Sequence, residues 1–215
     1  MKATEVTVID YGLGNLLSVQ RGFEHCGATV TITADPAKIL ASGKVVLPGV
    51  GAFCNAMQAL SSLSLIEAIR EVAERGTPLL GICLGMQLLF EESEEFGTTA
   101  GLGLIPGRVI PVPSTSLSGK ALKIPHIGWS ALQPSTESEG WCGTLMQDNK
   151  TGDAAYFVHS FMAAPADPEH IVAGCLYGGN FIPAVIGCEH ITGCQFHPEK
   201  SGEAGLKILL RFILQ

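Results

Sequence analysis

A cysteine at a sharp strand-to-helix turn is the first group in this sequence suited to covalent chemistry. Gly81-Ile82-Cys83-Leu84-Gly85 follows the apolar run Pro78–Ile82 and precedes a helical pattern. That is the nucleophile-elbow arrangement G-x-[S/C]-x-G in its structural context. Glycines on either side let backbone approach where a side chain would collide. The turn aims the thiol at solvent from a helix start, whose N–H groups and dipole stabilise a thiolate. The next N–H, that of Leu84, is placed to hold an oxyanion. Read alone, the same pentapeptide also suits a small buried hydrophobe, the usual fate of a free cysteine.

A cysteine nucleophile needs a base, and the base needs an orienting group. Near the C-terminus stands Gln195-Phe196-His197-Pro198-Glu199-Lys200. His197 supplies an imidazole. Glu199 lies two residues on, a spacing that at a strand end brings both side chains to one side. Its carboxylate can accept the second ring N–H, with Pro198 stiffening the turn. A surface His-Pro turn with a solvated Glu-Lys pair is the alternative. Of the other histidines, His159 in FVHSF reads as a core or pocket residue and His126 lies in IPHIGW beside Pro and Trp. His25, His170 and His190 read as surface positions or element ends, and no histidine has metal-ligand spacing. Pro48-Gly49-Val50-Gly51-Ala52-Phe53 adds a second glycine loop after a buried strand. Its glycines let a peptide rotate cheaply, so the Gly51 N–H can join that of Leu84 in an oxyanion hole.

These groups must be carried by the elements between them. Thr4–Asp10, Ala28–Thr33, Lys44–Leu47 and Pro78–Ile82 read as strands. Helical spacing covers Asn15–Cys26, with Gly27 as its stop, and Asp35-Pro36 opens a short helix to Leu40. Ser64-x-x-Glu67 reads as a capping box for a helix ended by Gly76, and Leu84–Glu91 as a further helix. Alternating strand and helix predict parallel strands with right-handed crossovers, a doubly wound sheet covered on both faces. In the second half, Leu104–Pro113, Ala121–Ile127, Ala155–Phe161, Ile171–Tyr177, Ala184–Glu189 and Thr192–Phe196 read as strands, an antiparallel or mixed extension. Pro134–Gly152 reads as a surface loop and Gly202–Leu214 as the closing helix.

Composition agrees with this plan. At roughly 100–200 residues per domain, the 215 residues suit one domain, residues 1–215. Apolar residues are 47% and charged residues 15%, a core-rich composition far from disorder. A net charge of -7 argues against a nucleic-acid partner. Mean hydropathy is +0.33. Yet the longest uncharged run, Val45–Ile66, contains Pro48, Gly49, Gly51, Asn55 and Gln58, so no membrane span is expected. Acids within the first ten residues argue against a secretory signal. Seven cysteines without CxxC spacing suit free thiols in the cytoplasm.

PGVGAF, GICLGMQ and QFHPEK, in that order, resemble the motifs of the class I (triad) glutamine amidotransferase family. The resemblance spans nearly the whole chain. It implies a flavodoxin-like doubly wound mixed sheet, with an antiparallel C-terminal extension, and a triad of Cys83, His197 and Glu199 that hydrolyses glutamine through a thioester without a cofactor. It further implies that Gln87, Glu95 and the backbone around Ser160 and Phe161 hold the amino-acid end of glutamine. Asp10-Tyr11-Gly12-Leu13-Gly14-Asn15 and Pro125-His126-Ile127-Gly128-Trp129 are similar to the branch whose ammonia passes to a (β/α)₈ cyclase partner in a heterodimer of histidine biosynthesis. That cyclase makes imidazole glycerol phosphate and aminoimidazole carboxamide ribotide. Tyr11, Gly12, Asn15, His126 and Trp129 would then face the partner, and the PGVG peptide would be a switch. The chain departs from the branch at Ile127, Ser130 and Phe161-Met162.

Three other readings compete. The partner could instead serve anthranilate, guanine nucleotide, cytidine nucleotide or carbamoyl phosphate synthesis, although PGVGAF departs from the PGPG-type loop of several of those relatives. A chain ending at Gln215 suggests no fused synthase domain. Gly12-Leu13-Gly14 with Asp35 resembles a dinucleotide fingerprint, but Leu17 stands where its third glycine belongs. A pseudo-glutaminase would lack one of the triad residues present here.

Overall fold

The computed structural model describes residues 4–135 and 140–215. In chain order the first half runs β1 (Glu5–Ile9), α1 (Leu16–His25), β2 (Thr29–Thr33), α2 (Pro36–Leu40), β3 (Val45–Leu47), α3 (Phe53–Ser62), α4 (Leu65–Glu74), β4 (Leu79–Ile82) and α5 (Leu84–Leu88). Strands then dominate: β5 (Phe90–Ser93), β6 (Thr99–Ala100), β7 (Ile105–Pro111), β8 (His126–Ala131), β9 (Gln133–Pro134), β10 (Ala154–His159), β11 (Phe161–Pro165), β12 (Ile171–Tyr177), β13 (Asn180–Cys188) and β14 (Ile191–Cys194). Helix α6 (Gly202–Leu214) closes the chain.

The main sheet has the order β2-β1-β3-β4-β14-β13-β12-β9. Pairing is parallel from β2 across to β14 and antiparallel beyond it. Successive residues of the central strands enter opposite cores, as a pleat requires. Val46 on β3 packs with Phe23, Ile208 and Phe212, whereas Val45 and Leu47 pack with Phe53, Leu60 and Ile69. Both faces are therefore covered, which explains the continuous apolar runs of the central strands. Beside this sheet lie the ribbon β8–β10 and a smaller sheet of order β11-β7-β5-β6. Among the described residues no helix is long and apolar enough to cross a membrane.

Several expectations need correction. Ser64 does not close a capping box: it is left-handed, with φ 56°, and its side chain caps nothing. It instead turns the chain between α3 and α4, a geometry incompatible with the extended backbone of an N-cap. The helix expected over Leu84–Glu91 ends at Leu88, and Phe90–Ser93 pairs with β7 as a strand. Short apolar runs such as LLF fit either state, and pairing decides. The strand expected over Ala121–Ile127 begins only at His126. The run Ala155–Phe161 breaks at Ser160, where β10 gives way to β11. Pro134–Gly152 is more than a surface loop, since Trp141, Leu145 and Met146 enter the core. Its residues 136–139 lie outside the described residues.

The elbow glycines are steric necessities. A Cβ on Gly85 would stand 1.8 Å from the Leu47 carbonyl oxygen, and one on Gly81 would stand 2.7 Å from Met86 Cα. These contacts press the turn after β4 against β3 and its own helix. Gly85→Ala is expected to destabilise the fold by about 3 kcal/mol or more, at the upper end for overpacking because the obstacle is backbone. Urea denaturation of the two proteins measures the difference.

Candidate active site

Parallel pairing of β4 with β14 brings the two halves of the site together. Ile82 stands opposite Cys194 in register, and the Cys83 N–H donates to the Cys194 carbonyl at 2.7 Å. The chain then leaves both strands at the same edge, Cys83 from one and His197 from the other. Cys83 has φ 55° and ψ -110°, the strained turn expected of an elbow. It is 7% exposed. Helix α5 has only five residues, so little macrodipole acts on the sulfur. What remains is local: the Leu84 N–H, in the first turn, has no acceptor within its own helix.

His197 Nδ1 lies 2.9 Å from Glu199 Oε1. The carboxylate can only accept, so Nδ1 carries the proton, which leaves Nε2 as the ring nitrogen free to serve Cys83. The two residues do not alternate along a strand, as their spacing suggested. A 3₁₀ turn, Pro198–Lys200, folds Glu199 back under the ring. Ser201 fastens this turn to β10, donating from Oγ to the His197 carbonyl and accepting from the Tyr156 N–H. Gly22 in mid-helix makes room from the other side, since a Cβ there would stand 3.1 Å from Glu199 Cβ. Burial of the His197 ring opposes its charge. Hydrogen bonds to Cys83 and Glu199, with their negative charges, outweigh that and hold its pKa up at about 9.

Cys83 and His197 open into a cavity of about 320 Å³ that is also lined by Gly51, Leu84, Gln87, Glu95, Ser160 and Phe161. The residues expected to bind glutamine thus converge on the nucleophile. Gln87 Nε2 donates to the Phe161 carbonyl at 3.0 Å and to Gln195 Oε1 at 3.1 Å. Both its protons are engaged, so it offers the cavity an acceptor oxygen. Glu95 is not one more solvated acid of its run: its Oε2 accepts the Phe53 N–H at 2.6 Å, at the start of α3. Its second oxygen remains available for a cation. The Phe161 carbonyl is taken by Gln87 and also by His159 Nδ1, 2.8 Å away. Gln195 was not singled out from the sequence, yet it is fully buried and its Nε2 lies 3.9 Å from Cys83 Sγ. The signal was present in QFHPEK, where Gln195 and His197 are two residues apart.

The residues expected at a partner surface divide. Gly12, Asn15 and Trp129 are exposed, Trp129 by 58%. Tyr11 and His126 are buried instead. Tyr11 is a floor for the glycine loop, its hydroxyl donating to the Pro48 carbonyl at 2.8 Å. A Cβ on Gly49 would stand 2.4 Å from that hydroxyl, and Gly51 is left-handed with φ 100°. Asp35, the residue considered for a ribose contact, caps α2 through the Ala37 N–H.

A family model described as glutamine amidotransferase class-I matches residues 7–215. Imidazole glycerol phosphate synthase subunit HisH 1 of Legionella pneumophila (strain Lens) is 49% identical over 210 residues, covering 98% of this chain and 99% of that protein. Imidazole glycerol phosphate synthase subunit HisH of Syntrophotalea carbinolica is 44% identical over 208 residues, covering 96% and 98%. A crystal structure of a glutamine amidotransferase superposes with a TM-score of 0.72 at 14% identity, covering 98% of this chain and 99% of that one.

The raised His197 pKa has a measurable consequence. Its ordinary value is 6.5, so the folded protein holds this proton more tightly than the unfolded chain does. The resulting stability is complete below about pH 6.5 and is lost as pH rises through about 9. Glu199→Gln removes one cause of the shift. In an NMR titration the ring should then release its proton at lower pH than in the unchanged protein. The difference in unfolding free energy between the two proteins should shrink above about pH 9.

Proposed function

The chain belongs to the class-I glutamine amidotransferase family, and from that premise and the site's geometry we propose that it is the glutaminase subunit of an imidazole glycerol phosphate synthase. The observation that carries the chemistry is the joining, in one cavity, of Cys83, a charged His197–Glu199 pair and a wall of glutamine-compatible polar groups. Its relatives carry the synthase name over nearly their full lengths.

In this reading Cys83 Sγ attacks the carbonyl carbon of the glutamine side-chain amide. His197, charged by the proton it has taken from the thiol, gives that proton to the departing nitrogen, which leaves as ammonia. Glu199 keeps the ring oriented and favours its charged form. The Leu84 and Gly51 N–H groups receive the developing oxyanion. Water then attacks the thioester with His197 as base, and glutamate is released. The second oxygen of Glu95 takes the substrate ammonium, with the Gln87 oxygen as a second acceptor.

The relatives are named as subunits of a synthase, so in this reading the ammonia passes to a partner, a (β/α)₈ cyclase in a heterodimer. One surface suits it. Trp129 lies opposite Tyr156, and Ile127 opposite Val158, on one face of the β8–β10 ribbon. Ile127, Trp129 and Val158 are exposed there, an apolar strip beside the mouth of the cavity. Gly12 and Asn15, in the loop after β1, are exposed as well. Seven free thiols suit the cytoplasm.

Cys83→Ala is expected to abolish glutamine-dependent synthesis by the assembled pair while leaving synthesis from added ammonia intact. Assays with either nitrogen source, with and without a candidate cyclase, make the comparison. Equal loss of both would contradict the assignment.

A further inference from the structure

Two buried histidines of the cavity region stand outside the chemistry assigned so far. His126 on β8 and His159 on β10 are a register pair across the ribbon. His126 Nδ1 lies 3.0 Å from His159 Nε2, and His126 Nε2 lies 3.0 Å from Ser130 Oγ. The His126 ring is stacked against both Phe157 and Tyr177. His159 Nδ1 meets the Phe161 carbonyl.

The direction of every bond follows from one end. A carbonyl oxygen only accepts, so His159 Nδ1 carries a proton. In a neutral ring the other nitrogen is bare, so His159 Nε2 accepts from His126 Nδ1–H. His126 Nε2 is then bare and accepts from the Ser130 hydroxyl. Burial keeps both rings neutral: it brings His159 down to about 4 and lowers His126 from its ordinary value. The Phe161 carbonyl ends that run of donors, since Gln87 Nε2 also donates to it, and a separate run goes from Gln87 to Gln195 Oε1 and from Gln195 Nε2 to Cys83.

We infer that His126 and His159 are positioning residues, a neutral pair of Nδ1–H imidazoles that fixes the Phe161 carbonyl and, through it, the amide plane of Gln87. This deepens the glutaminase reading and rests on it. Without that carbonyl held in place, the Gln87 amide can turn half a revolution and present N–H donors to the cavity. Donors there repel an ammonium group. The relay begins at Ser130, on the ribbon whose opposite face carries Ile127 and Trp129, so pressure on that strip acts on the strands that hold the pair.

Two measurements on the full chain test this. Nitrogen NMR at neutral pH should find both rings neutral and protonated on Nδ1, the tautomer that a free imidazole side chain favours less. Ser130→Ala should release His126 from that state. A proton on Nε2 of either ring in the unchanged protein overturns the relay. Separately, Cys83 is alkylated by iodoacetamide, which needs only the thiol, and by a glutamine-analogue electrophile, which needs the wall. For His159→Phe the half-saturating analogue concentration should rise about tenfold or more, the scale of one lost buried hydrogen bond. Iodoacetamide reactivity should stay within about twofold, below the scale of such a loss, and His159→Asn, which keeps a donor near the Nδ1 position, should recover most of the analogue's affinity. Parallel loss of both reactivities, or no change in half-saturation, overturns the positioning role. If the unchanged protein takes iodoacetamide but resists the analogue, the glutaminase reading fails and the role of the pair fails with it.

Discussion

The site depends on a single strand pairing. Cys83 and His197 stand more than a hundred residues apart in sequence, and β4 and β14 make them neighbours by lying parallel and in register, Ile82 opposite Cys194. The bond from the Cys83 N–H to the Cys194 carbonyl continues that ladder by one step into the strained turn. A one-residue slip would reverse the faces on which all later side chains emerge. Register is protected by packing, because a side chain on Gly193 of β14 would stand 2.2 Å from Met86 Cγ. The sheet edge, the elbow and the histidine turn therefore form one mechanical unit.

Within it the protein maintains two histidines in different states. His197 is held charged because a buried carboxylate and a sulfur lie against it. His159, equally hidden, has a carbonyl and another imidazole as partners, and burial keeps it neutral. Burial alone disfavours the cation in both cases, so the identity of the bonded neighbour decides. One cavity thus holds a histidine whose proton is held tightly and another whose ring is kept neutral.

The meeting of Cys83, His197 and Glu199 was legible in the sequence because their motifs report backbone constraints. Gly81 and Gly85 mark close approach, and the sharp turn they permit puts Cys83 at the edge of the sheet. Strands β1 to β4 were legible for a similar reason, since each is a short apolar or β-branched run ended by a turn signal. Other features were less visible. Nothing local shows that Phe90-Glu91-Glu92-Ser93 after α5 becomes a strand, since only its pairing with β7 decides. Ser64-x-x-Glu67 matched a capping motif, yet the tight α3–α4 junction claimed Ser64 for a left-handed turn. Tyr11 and His126 lay in segments expected to face a partner, but their neighbours on the same segments are the exposed ones. Alternation along β8 buries His126 while exposing Ile127 and Trp129, and a motif does not say which phase will face inward. Nothing in the helical pattern of α1 shows that Gly22 must leave room for Glu199.

The distance between Cys83 and its base along the chain also sets the order in which the machinery comes into being. As the polypeptide leaves the ribosome, the thiol emerges long before β14 and the histidine turn exist. Until that last strand docks, the sulfur has no proton acceptor beside it and no formed cavity in front of it. A chain that stops short of β14 thus lacks both the imidazole and the finished cavity that stand beside the sulfur in the folded protein.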